Sequence, residues 1–149
     1  ILSLAEITKV SEFNVETVYS GKNESSMVYG DLLIGHFYKV SNKSAATARG
    51  LMNQKHKSLL QPHVHRMGAC YKTLNDGMVL VGLEMGCLCR LDPDWMENPN
   101  WQQGFVVIHK KKNSKRFYLQ PIQIVDGAFL FGGKRYGRPS ENQNKNVKS

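Results

Sequence analysis

Three histidines have the residue type and the spacing to bind a metal ion: His36, His63 and His65. His63 and His65 stand two residues apart, directly after Pro62. Proline removes a backbone N–H, so we predict that a strand ends there and that both imidazoles lie in the loop at its tip. Neutral imidazole is a common ligand for Zn, Mn and Fe ions. A His-x-His pair alone is a weak signal, and the elements around it carry the argument.

The stretch before the histidine pair predicts a strand–helix–strand unit. Residues 27–36 form a long apolar run, residues 43–54 are alanine-rich with helical spacing, and residues 57–60 form a short strand. The two strands of such a unit are parallel, so their carboxyl ends lie at one edge of the sheet. The spacing therefore predicts that His36, His63 and His65 converge on that edge.

Several neighbouring side chains have two readings that the sequence leaves open. Arg66 can bind a phosphate oxygen or pair with an acid. Cys87 and Cys89 are either thiolate metal ligands or small buried hydrophobic residues. Asp31 falls inside the predicted strand of residues 27–36 and should point away from the face of His36. The sequence fixes no other carboxylate at the edge; the candidates are Glu84, Asp92, Asp94 and Glu97.

Composition indicates one globular domain with a basic surface. The chain has 149 residues and a formal net charge of +8. This charge fits a polyanionic partner such as nucleic acid, or a solvated hairpin turn with a basic tail. Three cysteines are an odd number, which favours reduced thiols in a cytoplasmic protein. There is no signal peptide and no apolar run of membrane-spanning length, so we expect no membrane partner. The start at Ile1 without a methionine suggests a fragment or a processed product.

The remaining pattern predicts an α/β (α+β) chain that is strand-rich after residue 68. We expect a single, partial domain over residues 1–136 and a polar, disordered tail over residues 137–149. The predicted elements are a helix over 3–10, a strand over 15–19, a hairpin of 69–73 with 78–84 around an Asp-Gly turn, a second hairpin of 104–111 with 116–124 around a lysine-rich turn, and a last strand over 128–131.

Five stretches of the chain resemble one known family. The resemblance covers residues 28–136 and is to the C-terminal half of the calcineurin-like metallophosphoesterases, in their phage and bacterial branch. The stretches that carry it are Asp31-Leu-Leu-Ile-Gly-His36, Pro62-His-Val-His-Arg-Met-Gly68, Glu84-Met-Gly-Cys-Leu-Cys-Arg-Leu-Asp-Pro93, Asn98-Pro-Asn-Trp-Gln-Gln-Gly-Phe105 and Phe131-Gly-Gly-Lys-Arg-Tyr136.

The resemblance implies a fold, an activity and a set of ligands. The fold would be a metallophosphoesterase-type β-sandwich flanked by helices. The activity would be hydrolysis of phosphomonoesters or phosphodiesters, including nucleic acid, at two divalent ions (Mn, Fe, Zn or Mg). His63 and His65 would each bind a different ion, and His36 would share the ion of His63. In such a site Arg66 is the candidate for binding the substrate phosphate. If the gene belongs to a phage, the protein would act in the cytoplasm of a bacterial host.

The family's first-half motifs are absent from these 149 residues: Asp-x-His, Gly-Asp-x-x-Asp and Gly-Asn-His. They supply the bridging carboxylate, most other ligands and the leaving-group acid, so the chain holds half of such a site and no catalytic residue can be assigned. Two hypotheses stay open. Either a partner chain carries the missing half, or the protein is a non-enzymatic, basic binding or structural protein with no metal of its own. Exposed strand edges also predict a homo-oligomer.

Overall fold

The structure is a computed structural model that describes residues 26–137. Within that range it is strand-rich, with one helix among nine strands. The elements are β1 Ser26–Tyr29, β2 Leu32–Gly35, α1 Ala46–Lys55, β3 Ser58–Gln61, β4 Met67–Thr73, β5 Val79–Met85, β6 Gly104–Lys110, β7 Phe117–Gln123, β8 Ala128–Phe131 and β9 Lys134–Gly137. The predicted helix over 3–10, the strand over 15–19 and the tail after Gly137 lie outside the described residues.

Five strands form one mixed sheet in the order β1-β2-β3-β5-β4. β3 runs parallel to both β2 and β5, and the two outer pairs are antiparallel. α1 connects β2 to β3, so the predicted strand–helix–strand unit is confirmed. Its parallel register aligns Leu32 with Ser58 and Ile34 with Leu60. The carboxyl ends of β2 and β3 therefore meet at the same edge.

Alternating residues of the central strands serve two separate cores. On one face, Leu33 and Leu59 pack with the buried side of α1, including Leu51 and Met52. On the other face the sheet packs against the β6–β7 hairpin. That second cluster consists of Leu32, Leu60 and Leu83, flanked by Ile34, Val81, Met85, Val106, Ile108, Phe117 and Leu119. A helix on one face and a hairpin on the other hold the sheet edge that carries the histidines.

Both predicted hairpins are present. β4 pairs with β5 around Asn75-Asp-Gly77, where Gly77 has φ +82° and its N–H donates to the Leu74 carbonyl. β6 pairs with β7, and the lysine run lies at their turn. The predicted last strand is β8, which pairs with β9 in a small sheet of its own.

The single long strand predicted over residues 27–36 is wrong. This stretch forms two antiparallel strands, β1 and β2, joined by a turn at Gly30 and Asp31. Gly30 has φ +63°, a conformation that glycine adopts without the steric cost of a side chain. Asp31 is thus a turn residue, and it does not lie inside a strand opposite His36. The apolar residues on both sides of the turn conceal it in the sequence.

The strand-rich α+β class is confirmed for the described residues. The family's β-sandwich flanked by helices stays a prediction.

No helix within residues 26–137 has the length and apolar character needed to span a membrane.

Candidate metal centre

His36 and His63 meet at the shared edge of β2 and β3. His36 directly follows β2, and His63 comes two residues after β3. His36 Nε2 lies 3.2 Å from His63 Nδ1, and the two ring centroids are 4.4 Å apart in an edge-to-face arrangement. Val64, next to His63 in the same loop, is buried. The structure thus brings these two imidazoles together at the predicted edge.

The spacing of the two nitrogens suits one shared ion. Metal–nitrogen bonds of about 2.0–2.1 Å place two adjacent ligand nitrogens roughly 2.9–3.4 Å apart, for ligand–metal–ligand angles between octahedral and tetrahedral. Partial burial, followed by repulsion from His36 and His65, lowers the pKa of His63. A lowered pKa keeps the ring neutral near pH 7, so a nitrogen lone pair is available. Without an ion, the same distance permits a hydrogen bond between two neutral rings.

His65 belongs to a different group of ligand atoms. Its backbone has φ +56°, and its Nδ1 lies 3.8 Å from the Sγ of Cys89. His65, Cys87 and Cys89 bring their ligand atoms within 4.8 Å of one another. Burial first, and then repulsion from His36, lowers the pKa of His65. The three histidines are therefore near one another, but two of them face each other while the third faces two thiols.

The two thiols differ in their surroundings. Cys87 is buried and Cys89 is exposed, and both are free. Burial, together with a hydrogen bond to Cys89, raises the pKa of Cys87 to about 11. Both sequence readings thus apply to Cys87, which is a buried small residue and also a member of a potential ligand group. Cys89 is not buried, so the buried-hydrophobic reading does not apply to it, and its ligand role stays a prediction.

Arg66 lies inside the structure and is already engaged. It is 9% exposed, its guanidinium donates to the Ser41 carbonyl, and its Nε lies 4.0 Å from Glu84 Oε2. That Nε–Oε2 distance allows an ion pair but is too long for a hydrogen bond. The placement supports the reading in which Arg66 pairs with an acid, and phosphate binding by Arg66 stays a prediction.

Glu84 is a buried acid that binds the start of α1. Its carboxylate accepts hydrogen bonds from the backbone N–H groups of Ala45, Thr47 and Ala48, at 2.9, 3.1 and 3.2 Å. These are groups that the first turn of a helix leaves unpaired, and a negative charge there also interacts favourably with the helix dipole. Glu84 is therefore committed to the fold and is not a ligand at the histidine edge. A charged residue in the apolar strand β5 is the sequence signal of such a role.

The other candidate carboxylates do not join the His/Cys group among the described residues. Asp92 pairs with Arg90 on the surface at 3.2 Å. Asp31 lies in the β1–β2 turn. The acids that a two-ion site requires are thus not contributed by residues 26–137.

Sequence reasoning missed the approach of His65 to the two cysteines. The segment at 102–104 creates this approach. The Gln102 N–H donates to the His65 carbonyl at 3.0 Å, and Cys87 exchanges hydrogen bonds with Gln102 and Gly104. No local pattern encodes contacts across such separations, although a Cys-x-Cys pair and a His-x-His pair in one chain are together a signal for a mixed ligand set.

The chain matches no known protein-family model, no curated protein and no solved structure.

Proposed function

We propose that this chain supplies one metal-binding edge of a metal-dependent phosphoesterase. The observation that carries the proposal is the 3.2 Å approach of His36 Nε2 to His63 Nδ1 at adjacent carboxyl ends of parallel strands. Ligands in open α/β sheets bind at such edges. The motifs of residues 28–136 that resemble the calcineurin-like metallophosphoesterases support the same function.

His36 and His63 would hold one divalent ion through ring nitrogens. A bound ion would supply Lewis acidity toward a phosphoryl oxygen and a lower pKa for a bound water. The burial of Val64 and the turn hydrogen bond from the His65 N–H to the Pro62 carbonyl (3.2 Å) keep the loop in place for this role. The bridging carboxylate and the leaving-group acid would come from a partner chain that carries the Asp-x-His, Gly-Asp-x-x-Asp and Gly-Asn-His motifs.

Hydrolysis of bis-p-nitrophenyl phosphate and p-nitrophenyl phosphate with Mn²⁺ tests this function. The chain would be assayed alone and after co-expression with the coding sequence directly upstream of Ile1. We expect hydrolysis in the co-expressed sample that requires Mn²⁺ and is lost in His63→Ala. Absence of hydrolysis in both samples would overturn the proposal.

The metal-binding part can be measured separately by calorimetric titration of Mn²⁺. We expect His36→Ala and His63→Ala each to weaken binding by at least about tenfold, because even residues that only support a ligand contribute about 10- to 100-fold. His109→Ala is the matched control, since His109 is an exposed histidine of β6 that bonds to Gln120. Equal affinity in all three variants would exclude the histidine pair as the site.

A second candidate function is nucleic-acid binding through the turn between β6 and β7. Lys111, Lys112, Lys115 and Arg116 are all exposed there. Exposed cations clustered on one hairpin make phosphate contacts that release counterions. This candidate supports the alternative of a basic binding protein, and it is independent of the histidine edge.

A gel shift with a single-stranded oligonucleotide at increasing salt tests this second function. We expect Lys111→Glu with Lys112→Glu to weaken binding and to reduce the salt slope by about 0.7 for each lost phosphate contact. Lys43→Glu with Lys57→Glu changes the net charge equally at other exposed positions and is the control. Equal weakening by both pairs would show that net charge alone, and not this turn, is responsible.

A further inference from the structure

His65, Cys87 and Cys89 offer one nitrogen and two sulfur atoms within a sphere of ion-binding size. The three ligand atoms lie within 4.8 Å of one another, and His65 Nδ1 is 3.8 Å from Cys89 Sγ. With Zn–N bonds of about 2.0–2.1 Å and Zn–S bonds of about 2.3 Å, tetrahedral ligands lie roughly 3.6 Å apart for N and S and roughly 3.8 Å apart for two sulfurs. Small side-chain rotations suffice to reach that geometry.

Backbone hydrogen bonds hold the two ligand-bearing segments against one common segment. The Gln102 N–H donates to the His65 carbonyl at 3.0 Å, and the Cys87 N–H donates to the Gln102 carbonyl at 3.1 Å. The Gln103 side chain donates to the Cys89 carbonyl at 2.8 Å. The ligand carriers are thus positioned before any ion binds, which reduces the entropy lost on binding.

The donor set determines the class of ion. Thiolate sulfur with imidazole nitrogen favours zinc and similar thiophilic ions over Mg²⁺, Ca²⁺ and Mn²⁺, which prefer oxygen ligands. Among the described residues the group has three members, so one position of a tetrahedral ion would be left for an exchangeable ligand. That arrangement differs from a closed structural zinc site, which has four protein ligands.

The group is chemically distinct from the His36–His63 pair, which contains only nitrogen. The ring of His65 packs edge-on against Trp101, with centroids 4.4 Å apart, rather than against the other histidines. Leu88 between the two cysteines is 73% exposed, while the sulfur atoms on either side of it lie within 4.8 Å of the ligand nitrogen of His65.

We propose that His65, Cys87 and Cys89 form a binding site for a thiophilic divalent ion of the zinc class, separate from the His36–His63 pair and independent of any phosphoesterase activity.

Titration of the reduced protein with Co²⁺ tests the site without using hydrolysis. Tetrahedral Co²⁺ bound to thiolates gives an intense sulfur-to-cobalt charge-transfer absorption and visible ligand-field bands. We expect both at one equivalent of Co²⁺, and we expect Zn²⁺ to displace them. A folded, reduced wild-type protein without the charge-transfer absorption would overturn the proposal.

Cys89→Ser is the decisive variant, because Cys89 is exposed and its replacement leaves the core intact. We expect it to weaken Co²⁺ binding by more than about 100-fold, beyond the effect of losing an outer supporting residue, and to reduce the charge-transfer absorption. Binding by Cys89→Ser at wild-type affinity would overturn the site.

His63→Ala is the companion variant, since it changes the other group only. We expect it to keep the charge-transfer absorption while it loses Mn²⁺ affinity. Loss of the charge-transfer absorption in a folded His63→Ala protein would overturn the separation of the two groups. A chain that binds Co²⁺ through thiolates but hydrolyses nothing would refute the phosphoesterase and leave this site standing.

Discussion

At the scale of single residues, a buried carboxylate that is not a metal ligand connects the histidine loop to the helix. Glu84 is 1% exposed and connects the start of α1 to Arg66. Arg66 in turn donates to the carbonyl of Ser41, in the connection between β2 and α1. The Arg66–Glu84 ion pair therefore connects the loop that carries His63 and His65 to the start of α1.

Glu84→Gln should destabilise the fold. The substitution removes the negative charge that faces three helix N–H groups and leaves Arg66 buried without its partner. We expect a loss of about 3 kcal/mol in the free energy of unfolding, near the lower end of the cost of breaking a buried pair. Urea denaturation followed by circular dichroism measures it. The exposed Glu97→Gln should change stability by less than about 0.5 kcal/mol, and equal effects of the two variants would contradict the role of Glu84.

Cys70 should make stability sensitive to alkaline pH. Burial raises the pKa of Cys70 above its ordinary value of 9.0, and the charge of Glu84 raises it further, while the charge of Arg49 acts in the opposite direction. The unfolded thiol loses its proton first, so the contribution of Cys70 is fully present below pH 9.0 and is lost as the pH rises above that value.

Unfolding measured from neutral pH to about pH 10 in wild type and Cys70→Ala checks this sign. We expect the stability difference between the two proteins to shrink as the pH rises. Parallel curves would show that the thiol does not titrate differently in the folded and unfolded states.

At the scale of elements, the sequence predicts those strand ends, turns and helices that depend on neighbouring residues alone. Pro62 ends β3, Asn75-Asp-Gly77 forms the β4–β5 turn, and the alanine-rich stretch forms α1. The Gly30-Asp31 turn was missed because apolar residues flank it on both sides. The acceptor for the start of α1 was missed because Glu84 lies 39 residues after Ala45. Nothing local to a helix start reveals an acceptor supplied by a distant strand.

The close approach of three segments around the cysteines requires glycine at position 86. Gly86 has φ +77°, and a Cβ there would lie 2.7 Å from the Gln102 carbonyl oxygen. We expect Gly86→Ala to cost about 1–2 kcal/mol for the backbone conformation and about 1–3 kcal/mol more for overpacking. Thermal unfolding measures the total, and Co²⁺ titration should show weakened binding by the adjacent Cys87.

Gly77→Ala is the matched control for Gly86. Gly77 has a similar φ of +82°, but no atom lies within 4 Å of its added Cβ. It should therefore show the conformational cost alone and leave Co²⁺ binding unchanged. If the two variants lose equal stability, the close approach to Gln102 has no energetic weight.

At the scale of the whole molecule, the two ligand groups join parts of the chain that are far apart in sequence. One group joins His36 to His63, and the other joins His65 to Cys87 and Cys89. Both groups lie in loops beyond the ends of the strands. An ion bound there would therefore connect loops that strand pairing does not connect. The partner chain and the homo-oligomer stay predictions, as does the single domain of residues 1–136.

Zinc should stabilise the folded chain globally if it binds the thiol group. A ligand that binds only the folded state at 100 times its dissociation constant adds about 2.7 kcal/mol to the free energy of unfolding. We expect this gain in urea denaturation with Zn²⁺, its reversal by a chelator, and its absence in Cys89→Ser. An equal gain in Cys89→Ser would mean that zinc stabilises the protein elsewhere.

The arrangement of the aromatic rings gives the molecule an intrinsic optical reporter. The chain has two tryptophans: Trp101 contacts His65, and the centroid of Trp95 is 5.5 Å from that of Trp101. All indole emission therefore originates from one pair of rings, of which Trp101 contacts the proposed ligand His65. A paramagnetic ion bound by His65 should therefore quench the tryptophan fluorescence of the protein. Ion binding at this edge of the molecule can thus be followed without a label, and the His63→Ala variant separates the thiol group from the histidine pair.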